Sequence, residues 1–177
     1  MSYSKPRATH EFHNFKHDSF ALSESAFAER HGHGFFLHAG SLSSVHEDFS
    51  EQDTVEATPE KSLKRRGHFL IFPLGHYSDA RTIRVGSHAS NDVVVEHQTV
   101  AATHAVCVCE AGRAISLWRV AAEHETSVND AAVPTSGDAT QNVIVPNGAS
   151  LRLGAVRLTY LDHGGFRTLV RQLLGPP

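Results

Sequence analysis

Cysteine is almost missing from this 177-residue chain: there are two, Cys107 and Cys109. They stand two apart in the β-branched run THAVCVC, so in a strand both point to one face, too close together for an ordinary disulfide. A disulfide scaffold is excluded, and buried free thiols in a reducing compartment are expected. No apolar run approaches the length of a membrane span, and no early segment joins a basic start to an apolar stretch and a small-residue cleavage site. The expectation is a cytoplasmic protein with no membrane partner. A surplus of positive charge is lacking too. Sixteen Lys and Arg stand against nineteen Asp and Glu, a formal charge of −3 spread along the chain, which argues against a nucleic-acid partner. No Gly-x-Ser-x-Gly, P-loop or His-Glu-x-x-His accompanies the available nucleophiles, so a catalytic role is not expected.

What is present divides unevenly. Seven of the fourteen histidines and seven of the ten phenylalanines fall within residues 1–66, among Ser, Glu and Asp and with few Val, Ile or Leu. So little aliphatic content predicts a largely disordered, flexible region with one short helix at SESAFAERH, where Ala, Glu and Arg favour helix. The acidic stretch EDFSEQDTVEATPEKS and the basic cluster Lys61, Lys64, Arg65 and Arg66 read as a solvated linker, and the folded domain is expected to begin near Gly67. HGHG places His31 and His33 two apart with His38 nearby, an arrangement imidazole metal sites can use. No matched third and fourth ligand appears at the usual spacing, so neither a metal nor a cofactor is expected.

From Gly67 onward the pattern becomes short period-two runs separated by turn residues: HFLIFPL, RTIRV, DVVVE, THAVCVC, AISLWRV, QNVIV, ASLRL and VRLTYL. No helical run of twelve residues separates two of them, so an all-β antiparallel sandwich or barrel is expected over residues 67–162. Residues 163–177 differ. In GGFRTLVRQLLG, Phe166, Leu169, Val170, Leu173 and Leu174 recur at helical spacing, with Arg167 and Arg171 on the other face. This predicts a short amphipathic helix packed on the sandwich and closed by Gly175 and Pro176.

The stretch RTIRVGSHASNDVVVEHQTVAATHAVCVC, with Gly86, Asn91 and Asp92 in its first part and His104 later, followed by Thr126, Val128 and Asn129, resembles the loops of a bacterial forkhead-associated domain. That resemblance implies a sandwich of about eleven strands that binds phosphothreonine peptides through loops at one end. It also implies that an arginine after the first glycine and a serine three residues before the histidine hold the phosphate. Here those positions are Ser87 and Ala101, so the fork of charged donors and one hydroxyl are replaced. His124 stands at the family's asparagine, and Glu125 at the glycine after it. Ligand contacts are therefore sought at Ser87, His88, Ser90, Asn91, Thr103, His124 and Thr126, with Gly86, His104 and Asn129 as structural members of the motif. His104 is expected to tie loop backbone together, Gly86 to supply backbone freedom, and Asn91 and Asp92 to form a turn before they touch any ligand.

Two functional readings follow. The first is a non-catalytic adaptor or scaffold whose phosphate site is degenerate and whose partner is a protein. The second is a phosphothreonine-peptide reader in serine/threonine kinase signalling. A metal protein or enzyme built on the His-rich region is the third, from a different class. Thr54 and Thr58, in the acidic linker, are candidate phosphorylation sites that are not expected to close onto the loops.

Overall fold

In the computed structural model, residues 12–39, 69–75, 81–109, 115–135 and 142–176 are described. The linker, its basic cluster, Thr54, Thr58 and Gly67 lie outside them. Eleven strands among the described residues form two sheets: β1 (Gly34–Ala39), β2 (Phe69–Pro73), β3 (Arg81–Gly86), β4 (Val93–Val94), β5 (Ala105–Cys109), β6 (Ile115–Arg119), β7 (Thr126–Val128), β8 (Ala131–Ala132), β9 (Val143–Val145), β10 (Ser150–Leu153) and β11 (Val156–Asp162). One sheet has the order β2-β1-β11-β10-β7-β8 and the other β4-β3-β5-β6-β9. Among the described residues these strands pair antiparallel except β3 with β4, which is parallel, and Arg119 makes an isolated parallel bridge to Thr135. Among the described residues three helices join them: α1 (His13–Ala21), α2 (Glu24–His31) and α3 (His163–Leu174). No helix among the described residues is long and apolar enough to cross a membrane.

Alternation makes the core between the sheets. On β3 Ile83 and Val85 turn inward while Thr82 and Arg84 face out, and on β10 Leu151 and Leu153 turn inward between exposed Arg152 and half-buried Ser150. Cys107 and Cys109 enter the same core from β5 as buried free thiols, and burial pushes the Cys107 thiol well above its ordinary pKa. A thiol so raised is protonated and unreactive.

The N-terminal boundary is where the fold departs from expectation. The sandwich does not start near Gly67. Residues 12–39 carry two helices and a strand, and β1 lies inside the sheet between β2 and β11. Aromatic rings supply the burial that aliphatics do not. Phe35 and Leu37 face the helices, where a second cluster includes Phe12, Phe15, Phe27 and Phe166, while Phe36 faces the sandwich core. Because β1 is covered on both faces, GFFLHA reads as a continuous apolar run without alternation, the pattern of a doubly buried strand.

The terminal helix matches the expected stripe, with Phe166, Leu169 and Val170 buried. Asp162 caps its start by accepting from Gly165 N at 2.7 Å. Its arginines behave differently from a solvated face. Arg167 Nε and Arg171 Nε donate to Ser19 O at 2.9 and 2.6 Å, and Arg167 also reaches Leu22 O at 2.5 Å. Two guanidinium groups thus satisfy carbonyls that the end of α1 leaves without intrahelical partners. Asp18, on the same helix, accepts from Arg30 at 2.9 Å and is paired with His31 at 2.8 Å. Burial would raise its pKa, but His31 and Arg30 outweigh burial and hold it below the ordinary carboxylate value.

Candidate functional site

At one end of the sandwich three loops meet: 87–92 after β3, 95–104 before β5 and 120–125 before β7. The first two are laced together by backbone, Ser87 N donating to Ala101 O at 2.9 Å and His88 N to Ala102 O at 3.2 Å. Gly86 lies under this crossing. A Cβ there would press into Ala102 O, the Asn91 amide and Ala101 O, so the requirement is for space rather than for an unusual φ.

Asn91 is fully buried and belongs to the lacing. Its Nδ2 donates to His88 O at 2.8 Å and to Ala102 O at 2.5 Å, while Thr103 Oγ1 donates to its Oδ1 at 3.3 Å. Asp92 turns back along β3, where its carboxylate accepts from Arg84 N at 2.9 Å with Arg81 3.6 Å away.

His104 joins all three loops. Ala101 N–H donates to Nδ1 at 3.2 Å, which leaves Nε2–H to donate to Thr126 Oγ1 at 2.9 Å. Its carbonyl accepts from Val120 N and Ala121 N at 3.0 and 3.2 Å, and its own N–H donates to Val85 O at 2.8 Å. Burial lowers the imidazole pKa to about 4, opposed by a backbone hydrogen bond at Glu125 and helped by His124 and Arg119 nearby. The ring is neutral near pH 7 and uses both nitrogens within the protein. Thr126 is buried, its hydroxyl taken by that ring.

Asn91 and Thr126 were sought among the ligand contacts, and burial removes both from the surface a ligand would meet. The five other candidates are accessible: His88 and Ser90 are exposed, and Ser87, Thr103 and His124 half-buried. His88 Nδ1 accepts from Ser90 N at 3.2 Å and lies 2.8 Å from Ser90 Oγ, which leaves Nε2 toward solvent. The His124 ring lies over His104 at 6.0 Å, nearly parallel. Asn129 takes a left-handed φ of 49° in the β7–β8 turn and accepts from Ser150 N of β10 at 2.9 Å, tying the turn to that strand.

Arg119 was not singled out in the sequence. Its Nε donates to Ala121 O at 2.6 Å and its Nη2 to Ala122 O, folding the guanidinium over the third loop. It ends an alternating strand, and nothing in AISLWRV marks it. Among the described residues no group of three His, Cys, Asp or Glu could hold a metal ion. His31 is turned to Asp18, and His38 Nδ1 lies 2.9 Å from Arg157 O.

The loop order and the buried Asn91–His104 pair coincide with a family match, since residues 83–154 fit the model of the FHA domain. This span of the chain is similar to FHA domains. FHA domains are phosphothreonine-dependent protein-interaction modules of signalling. Similar solved structures include the FHA domain of CT664 from Chlamydia trachomatis, at 12% identity and TM-score 0.46, covering 73% of this chain and 97% of that one. The N-terminal FHA domain of S. cerevisiae Rad53p, solved with a phosphothreonine peptide, has 13% identity and TM-score 0.41 over 50% and 73% of the two chains. The cytoplasmic domain of PscD, a sorting-platform protein of P. aeruginosa, has 22% identity and TM-score 0.39 over 48% and 65%. No curated protein sequence matches the chain.

Proposed function

We propose that this FHA domain is a non-catalytic adaptor that engages a protein partner through its apical loops by surface complementarity, its phosphate site having lost both usual donors. One observation carries the reading. The hydrogen bond from Ser87 N to Ala101 O, 2.9 Å, sets side by side the two positions at which the FHA pattern has arginine and serine. Together they offer one hydroxyl and no cation. A charge-assisted hydrogen bond contributes roughly 1.5–3 kcal/mol, so losing the arginine and a hydroxyl donor lowers phosphopeptide affinity by about three powers of ten. Exposed Glu125 in the third loop adds a carboxylate that a phosphate dianion would meet.

The second reading is a phosphothreonine reader with substitute ligands. It is favoured by the FHA family's own activity and by His88, Ser90, Thr103 and His124, which remain accessible around the same crossing. Titrating wild type and the double variant Ser87→Arg, Ala101→Ser with phosphothreonine and unphosphorylated peptides separates the two. The expected result is no phosphate-dependent binding by wild type and measurable binding by the double variant. Tight, phosphate-dependent binding by wild type would replace the adaptor reading with the signalling one.

A further inference from the structure

Among the described residues, the helices cover only part of the outer face of the six-stranded sheet. The helices pack over β1 and β11, where Phe35, Leu37 and Leu161 meet the Phe166 cluster. Beyond them lie β10 and β7, whose inward residues Leu151, Leu153 and Val128 are in the sandwich core, so Ser150, Arg152 and Ser127 stand on the outer face. On β11 the same alternation puts Arg157 and Thr159 there. The ladder sets Arg152 directly opposite Arg157 on one side and opposite Ser127 on the other, with Ser150 opposite Thr159 in an adjoining row.

Like charges placed directly across a ladder destabilise it. Compensation is slight. Arg157 lies 3.8 Å from Asp130, with the two side chains 62% and 83% exposed, a pair that solvent screens almost completely. Arg152 donates its Nε to Gly154 O at 2.9 Å and makes no ion pair among the described residues. In a chain of net charge −3, two arginines thus stand opposite each other on a face that gains no stability from their pairing.

We propose that this strip, Arg152 and Arg157 bordered by the hydroxyls of Ser127, Ser150 and Thr159, docks an acidic, carboxylate-rich segment of a partner protein. The geometry favours carboxylates on an extended chain over a single phosphate. Its backbone N–H groups are engaged in the ladders, so no nest of amides is available to surround a phosphate. Neighbouring strands set the two arginine backbones roughly 5 Å apart, and an extended peptide presents same-side residues about every 7 Å. Two carboxylates at alternate positions can each meet one planar fork. The strip uses none of the apical-loop candidates, and its test is independent of whether those loops read phosphate.

The test uses the full chain and a fluorescent ten-residue peptide of alternating Glu and Ser, with a Gln-for-Glu peptide as control, read by anisotropy at low and high salt. Wild type should bind the Glu peptide, lose it as salt rises, and ignore the Gln peptide. Arg152→Gln and Arg157→Gln should each weaken binding about tenfold while melting no lower than wild type, because each relieves a like-charge contact. Arg84→Gln removes an equal charge from the outer face of the other sheet and should leave binding unchanged. No binding of the Glu peptide by wild type, or equal losses in all three variants, overturns the proposal.

Discussion

His104 holds the loops as an uncharged ring, and that has a pH signature. Its folded pKa is near 4, against about 6.5 when exposed. Between those values the unfolded chain binds a proton that the folded one refuses, so this residue's contribution is complete above about pH 6.5 and is lost as pH falls toward 4. The loss is on the order of 3 kcal/mol. His104→Ala should therefore lower stability at pH 7 by roughly 2–3 kcal/mol, since it leaves Ala101 N–H and the Thr126 hydroxyl unpaired. It should also flatten the pH dependence between 4 and 6.5. Denaturant melts of both proteins across that range check it, and a variant that keeps the wild-type slope would place the titrating group elsewhere. Partner binding should change less than stability, as befits a residue whose two nitrogens both bond within the protein.

At the scale of elements, α3 is tied to the N-terminal helices more specifically than a hydrophobic stripe requires. Phe166 stacks on Phe35 with centroids 3.9 Å apart and meets Phe15 edge-on at 5.0 Å, while Arg167 and Arg171 hold the end of α1 by its carbonyls. Fully buried, Phe166 is the point where helix and sheet join. Phe166→Ala should cost about 3–5 kcal/mol, part lost burial and part cavity. Thermal melting should fall by roughly 10 °C or more. A fall of only a degree or two would show that the helices collapse onto the gap.

The whole molecule depends on a segment distant in sequence. β1 pairs with β11 from Gly34↔Asp162 to Leu37↔Thr159 and with β2 from Phe35↔Pro73 to Ala39↔Phe69, so the beginning and the end of the chain share one sheet. A fragment of residues 67–177 would leave β11 as an open edge and expose the apolar surface that Phe12, Phe15, Phe27 and Phe35 cover. That fragment should aggregate or melt without a cooperative transition, whereas residues 12–177 should unfold like the full chain. Calorimetry of both decides. A cooperative transition in the shorter fragment would make the N-terminal elements an accessory rather than part of the domain.

The strands from β2 onward that alternate, the terminal helix, the same-face thiols of Cys107 and Cys109, and the loop order around Gly86 and His104 were all legible in the chain. The strands, the helix and the thiols rest on local chemistry, period two or period 3.6, and the loop order on the resemblance to forkhead-associated domains. Other things were not legible. Whether Asn91 and Thr126 face a ligand depends on which polar atoms other loops bring to them, and Ala102 O and the His104 ring come from eleven or more residues away. The role of Arg167 and Arg171 depends on α1 ending beside α3. Above all, GFFLHA carries no alternation because both its faces are covered, and its partners lie at the opposite end of the chain. A strand buried on both sides loses the contrast between inside and outside that marks a strand in sequence, and only the tertiary structure supplies the second face.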